Sequence, residues 1–209
     1  MTLEHPDDAR LTAPHVARNR DAIRAVFLEH MPRHGQVLEI ASGTGEHAVH
    51  LAAALPDVRW LPGDPDPKAR RSIRAWIEYS GLTNLADPHA TDAAAESWPV
   101  AEHAPFSAIV AINMVHIAPF EAAIGLMRGA GRLLGADGRL YLYGPFRRAG
   151  RHTAPSNKEF DASLRARNPR WGVRDLEDDI LPLAAEAGLG LDTIVDMPAN
   201  NLSVIFRRP

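Results

Sequence analysis

The chain has 209 residues, 45% of them hydrophobic and 23% charged, enough to bury one core without covalent cross-links. It contains no cysteine, which excludes disulfides, thiolate metal sites and cysteine nucleophiles. With 23 Lys+Arg against 26 Asp+Glu it lacks the basic surplus of a nucleic-acid binder, and no apolar run reaches the length that spans a bilayer.

Residues 1–12 are polar and expected to be loosely ordered. Over 14–30, Val16, Ile23, Val26 and Phe27 recur at roughly helical spacing, and Pro32 and Gly35 end that helix. An alternation of strand and helix then begins. Strands are predicted over 36–41, 58–62, 106–112 and 138–143, with a weak one over 85–91 that Pro88 demotes. Helices are predicted over 46–55, 67–79 and 120–134, closed by breakers such as Pro56 and Gly135. The stretch 144–171 is rich in Pro, Gly, Arg and Asn around a short helix near 158–165, and an interruption of that length points to function or disorder. A last helix over 176–187 precedes two strands, 191–196 and 202–206, joined as a hairpin. The fold class is α/β, Rossmann-like and doubly wound, mostly parallel with one antiparallel strand in the C-terminal hairpin.

The sharpest local signal runs from Glu39 to His47. A buried strand enters a turn of small residues, Ala41, Ser42, Gly43 and Gly45, which opens a helix. Gly43 and Gly45 let backbone approach a ligand and can take positive φ, and free N–H groups at the helix start face the crevice at the strand ends. Ala48 stands where the GxGxxG fingerprint has its third glycine, and the lysine of a P-loop is missing. Asp64 lies 21 residues after Gly43, at the end of the second strand, where a carboxylate can hold both ribose hydroxyls of an adenosine. Asp92 ends the weak third strand, within reach of an adenine amino group. Each carboxylate equally suits the capping of a following helix. At the end of the fourth strand, Asn113 can offer backbone, Met114 can pack on a flat base, and His116 can serve as a general base or as a structural histidine.

With these residues assembled, the chain resembles class I S-adenosylmethionine-dependent methyltransferases, and within them the methyltransferase-like 26 family. The resemblance covers nearly the whole chain. It is carried by 17–20, by 37–47, by Ile112-Asn113-Met114-Val115-His116-Ile117, and by Tyr143-Gly144-Pro145-Phe146. Further along it rests on Ser156-Asn157, Phe160-Asp161, 169–175 and 197–202. The one departure noted is Gly63 before Asp64, where the family leads us to expect serine. The resemblance implies a seven-stranded methyltransferase sheet and S-adenosylmethionine as cofactor, with S-adenosylhomocysteine as product. It implies that Glu39 and the 41–45 turn hold the methionine portion and Asp64 the ribose. Asp92 would face adenine, with Asn113 and Met114 beside the cofactor.

The expectation is one domain over 1–209, with an N-terminal segment and helix over 1–31 and a lid or substrate insertion over 144–172. His116 and Tyr143 are the catalytic candidates, and Arg18, Asn19, Asn157, Trp171 and Asn200 the substrate-facing ones. No metal is expected, since His47 and His50 lack a third ligand. The acceptor is expected to be a small molecule, with O-methylation slightly favoured because the fourth strand lacks the motif of amino-group methylation. Membrane and nucleic-acid partners are not expected, and the cysteine-free chain with no signal-peptide layout reads as cytoplasmic. Rival readings are a cofactor-binding protein without turnover, an RNA methyltransferase, and an NAD-dependent oxidoreductase. The last lacks its fingerprint and a Tyr-x-x-x-Lys pair.

Overall fold

A computed structural model describes residues 3–5 and 8–209. The expected loose N-terminus is instead paired. Strand β1 (Leu3–His5) runs antiparallel to β2 (Asp8–Thr12), while residues 1–2 and 6–7 lie outside the described residues. Helix α1 (Pro14–His30) follows, with proline at its first position, where the missing N–H costs nothing. The alternating units are β3 (Gly35–Ile40), α2 (Glu46–Ala54), β4 (Val58–Gly63), α3 (Pro67–Ser80), β5 (Phe106–Ile112) and α4 (Phe120–Leu133). Next come β6 (Leu134–Gly144), a two-residue pair β7 (Arg147–Arg148) and β8 (Arg151–His152), and α5 (Pro155–Arg167). Helix α6 (Leu181–Glu186), β9 (Gly190–Met197) and β10 (Asn201–Arg207) complete the chain.

Six strands form the main sheet in the order β4-β3-β5-β6-β10-β9. The first four are mutually parallel, and β10 runs antiparallel to both β6 and β9. The chain moves outward from β3 to β4, then returns to place β5 on the other side of β3. This reversal makes the carboxyl ends of β3 and β5 the switch point at which open α/β sheets bind ligands.

The expected strand over 85–91 survives as two parallel bridges, Trp60 to Leu85 and Gly63 to His89. Asp87-Pro88 lies between them, and Pro88 has no N–H to give. The sheet therefore carries six strands and a broken seventh outside β4. Strand β6 begins earlier than the sequence suggests, directly at the end of α4. Leu134 pairs with Phe106 and Arg139 with Ala108, so 135–138 bulge out around Asp137 and its φ of 61°. The predicted helix over 176–187 splits into a π-turn, Leu176–Ile180, followed by α6. Pro182 cannot donate to the ladder there, and the helix widens just before it.

Both faces of the sheet are covered, which explains why its strands read as continuous apolar runs. Along β3, Val37 turns to the face carrying α1 and α2, while Leu38 and Ile40 turn to the face carrying α4 and α6. On the first face Phe27 packs on Trp60 and Tyr141, each ring centroid 5.5 Å away. The Tyr141 hydroxyl meets Ser203 Oγ at 2.7 Å and satisfies both buried groups. On the second face α4 approaches its neighbours through glycines. No described helix is long and apolar enough to cross a membrane.

Gly125 shows how tight this approach is, because a Cβ there would stand 2.0 Å from the Ala93 carbonyl oxygen. Gly125→Ala should lower the unfolding free energy by about 1–3 kcal/mol, outweighing a helix-propensity gain of about 1 kcal/mol. Urea titration of the variant checks this, and an unchanged midpoint would refute the close packing.

Candidate functional site

The glycine turn is built from alternating left-handed residues: Ala41 (φ 57°), Gly43 (φ 56°) and Gly45 (φ 91°). The two glycines do different work. A Cβ at Gly43 would meet nothing within 4 Å, so its bare backbone opens onto the crevice. A Cβ at Gly45 would lie 3.0 Å from Ile73 Cα, so that glycine lets α3 pack on the turn. Ala41 has no such freedom, whereas Asn113 (φ 61°) at the end of β5 is of the residue type that most readily takes the left-handed region after glycine. Two left-handed non-glycine residues thus flank the crevice, and the strain at Ala41 is of the kind found at functional sites.

Hydrogen bonds lace this turn to the end of β4. Ser42 N–H donates to the Gly63 carbonyl at 2.8 Å, and Gly63 N–H returns a bond to Ser42 Oγ at 3.0 Å. Asp64 takes one backbone N–H on each oxygen, from Gly43 at 3.0 Å and from Asp66 at 2.9 Å. Each oxygen keeps further acceptor capacity. Burial raises the Asp64 pKa, and these two bonds work against that shift. The cap of α3 is Asp66, which accepts from Lys68 N–H, so Asp64 is not engaged as a helix cap. Below the turn, Glu39 is buried, and its Oε2 accepts from Trp60 Nε1 at 2.9 Å. Burial pushes its carboxyl up to about 7, against the opposing bonds from Trp60 and Ser42.

A cleft of about 270 Å³ opens at the switch point. Gly43, Asp64 and Asp92 line one side, and Ile40, Ile112, Met114 and Ile117 supply apolar walls. Of the expected cofactor residues, Ala41, Gly43, Asp64, Asp92 and Met114 line this cleft. Glu39, Ser42, Gly45 and Asn113 support it from outside. Asp92 also accepts the Ala94 N–H at 2.9 Å, closing the loop that carries it. Pro65, Thr91, Ala93, Ala118 and Ala122 belong to the lining but were not singled out by sequence. Their signal was positional, since most follow the end of a predicted strand or open the next helix. The expected serine at 63 has a physical replacement. A Cβ at Gly63 would fall 1.9 Å from the His89 ring, which fills that space. His89 Nδ1 pairs with Thr91 Oγ1 at 2.7 Å, and burial lowers the His89 pKa to about 4.

The catalytic candidates are placed differently. His116 is fully buried, and burial drives its pKa down to about 3. Its Nδ1 accepts the Arg174 N–H at 3.1 Å, its carbonyl accepts the Gly172 N–H at 2.9 Å, and Phe146 packs edge-on at 4.6 Å. A Cβ at residue 144 would lie 2.4 Å from its Nε2, so Gly144 makes room for it. His116 thus ties 172–174 to the sheet through Nδ1 and its carbonyl, while its Nε2 is buried beside Gly144 with no hydrogen-bond partner. Tyr143 is nearly buried at the end of β6, its hydroxyl beside the Asn19 side chain, and burial raises its pKa.

Among the substrate candidates, Asn157 and Asn200 come together, the Asn157 amide donating to the Asn200 carbonyl at 2.9 Å and to Thr153 Oγ1 at 3.0 Å. Trp171 lies under the Arg167 guanidinium at 5.5 Å from the ring centroid. Arg18 is exposed on α1. None of these residues is part of the cleft lining.

This architecture is shared with solved methyltransferases. SibL, an S-adenosylmethionine-dependent methyltransferase, superposes with a TM-score of 0.75 at 23% identity over 93% of this chain and 56% of its own. An O-methyltransferase family 2 protein from Planctomyces limnophilus, solved with apigenin, gives 0.75 at 18% identity, over 93% of this chain and 60% of its own. CalO1, a methyltransferase of calicheamicin biosynthesis in its SAH-bound form, gives 0.70 at 18%, over 88% and 53%. This chain spans little more than half the length of these structures. The fold is thus that of the class I S-adenosylmethionine-dependent methyltransferases. The chain itself belongs to the family described as protein of unknown function, DUF938, whose sequence model matches residues 10–208.

The raised pKa of Glu39 has a definite sign. The folded protein holds a proton that the unfolded chain releases, so this contribution to stability is present below about pH 4.5 and lost as pH rises through about 7. Relative to Glu39→Gln, which keeps an acceptor for Trp60, the wild type should lose about 3 kcal/mol between pH 4 and pH 8. Denaturant unfolding of both proteins across that range measures the difference, and parallel curves would contradict it.

Proposed function

We propose that this protein is an S-adenosylmethionine-dependent methyltransferase acting on a small molecule, with O-methylation favoured over N-methylation. One observation carries the reading: bare backbone at Gly43 faces a cleft that also receives the carboxylates of Asp64 and Asp92 from successive strand ends. These groups suit an adenosyl ligand. Asp64 would accept the ribose hydroxyls, Asp92 the adenine amino group, and Ile40, Ile112 and Met114 would sandwich the flat base. When bound, the cofactor supplies a methyl already activated on a sulfonium. The protein's own task is then to align an acceptor, exclude water and, for some acceptors, take a proton.

Within this reading, 144–172 covers the acceptor side. Phe146 anchors it in the core, and the Asn157–Asn200 bond ties it to the C-terminal hairpin. The finer resemblance to the methyltransferase-like 26 family and a cytoplasmic setting belong to the same proposal. The O-methyltransferases among the solved structures agree in fold with a small acceptor. So do three arginine ion pairs, Arg147 with Asp179, Arg148 with Glu177 and Arg207 with Asp137. Arginines engaged in this way offer little to a polyanion such as RNA. Cofactor binding without turnover is the second reading, favoured by the burial of both His116 and Tyr143.

Calorimetric titration with S-adenosylmethionine should show binding, and Asp64→Ala should weaken it by about 1–3 kcal/mol through lost charge-assisted hydrogen bonds. Equal affinity would remove the ribose assignment. Metabolite extracts incubated with protein and methyl-labelled cofactor, followed by mass spectrometry, should yield a small molecule carrying the label. Binding with no labelled product would favour the second reading.

A further inference from the structure

The chain before α1 takes part in the glycine turn through a side chain that neither the cleft nor the motifs account for. Ser72 sits on α3, fully buried, one residue before the Ile73 that packs on Gly45. Its hydroxyl accepts the Leu11 N–H at 2.7 Å and donates to the Thr44 carbonyl at 2.7 Å. A backbone amide of β2 and a carbonyl of the turn are thus joined through one oxygen atom.

A second clasp runs parallel to the first. Glu46 Oε2 accepts the Ala13 N–H at 2.8 Å and the Thr44 hydroxyl at 3.0 Å. Both polar ends of Thr44, its carbonyl and its hydroxyl, therefore lead to the segment 11–13. On the outer side, Trp76 Nε1 donates to the Leu11 carbonyl at 2.9 Å, and the Arg10 guanidinium stacks over Trp76 and Tyr79 at 5.0 and 3.6 Å from their centroids. Leu11 is held by both of its backbone polar groups.

Thr44 lies between Gly43, which opens onto the cleft, and Gly45, which begins α2. A left-handed turn with few side chains has little packing of its own to fix it, so external bonds must select its conformation. We propose that Ser72 is a positioning residue for the cofactor turn, relaying the docking of segment 9–13 to Thr44, so that cofactor affinity depends on this N-terminal strap being in place. The inference rests on the reading of the cleft as the S-adenosylmethionine site. It goes further in coupling that site to a segment outside the lining.

Coupling between two sites is reciprocal. A docked strap that favours cofactor binding is itself held more firmly once the cofactor is bound. The experiment uses the full chain and S-adenosylhomocysteine as the probe, with two readouts: calorimetric affinity and amide hydrogen exchange over 9–13. In the wild type the ligand should slow exchange at Leu11. Ser72→Ala should abolish that slowing and weaken binding about five- to twentyfold, with near-UV circular dichroism unchanged. Trp76→Phe keeps an aromatic ring, though a smaller one, and removes the bond to the Leu11 carbonyl. It should weaken binding in the same direction, and it carries the test should Ser72→Ala not fold. Wild-type binding without any change in exchange over 9–13 would overturn the inference while leaving the cleft assignment standing. So would variants that bind as tightly as the wild type. A wild type that does not bind the probe would overturn the cleft assignment and the inference with it.

Discussion

The reciprocal bonds between the ends of β3 and β4 are what the site is built on. Ser42 and Gly63 exchange two hydrogen bonds, and Asp64 holds the Gly43 amide. A parallel sheet ends in unpaired amides and carbonyls, and a bend away from the strand direction normally leaves them to water. Here the bend is paired with the end of β4 and packed on α3, so left-handed residues at 41, 43 and 45 persist outside any regular ladder. The Asp64 carboxylate is oriented by the same bonds that shape the turn. The shape of the cleft and the stability of the turn therefore rest on one set of interactions.

This arrangement explains the division between residues that line the cleft and residues that hold it. Gly43, Asp64, Asp92 and Met114 face the open volume. Ser42, Gly45 and Glu39 stand behind it, bonding or packing against β4 and α3. The second group contains the more demanding chemistry: a carboxyl with its pKa at about 7 and an indole N–H paired in the core. His116 extends the pattern on the other side of the sheet, where it secures 172–174 to the end of β5. Buried polar groups here work as fasteners, and the cleft walls are largely aliphatic.

Most of the architecture was legible because both faces of the parallel strands are covered, leaving apolar runs bounded by glycine and proline. The 106–112 strand and α1 followed from pattern alone. The glycine turn and Asp64 were legible from spacing, since a strand–turn–helix unit fixes where the next strand must end. The sequence was less informative wherever a role depended on contacts distant along the chain. Nothing near His116 shows that Arg174, Phe146 and Gly144 will enclose it, so an exposed base and a buried clamp read alike. The N-terminal strand was missed for the same reason. Its partners, Ser72 and Trp76, lie more than 60 residues away and contribute one hydrogen bond each. The π-turn and the bulge in β6 arise from single residues, Pro182 and Asp137, that shift a boundary without altering the pattern around it.

The contact between Gly63 and His89 carries a consequence for variation in this protein. One small volume beside the Asp64 carboxylate can be filled from either of two backbone positions, but not from both. A side chain introduced at 63 would have to evict the imidazole, and a truncation at 89 would leave a void under Asp64 that only a larger residue at 63 could fill. The two positions are therefore expected to change together rather than one at a time.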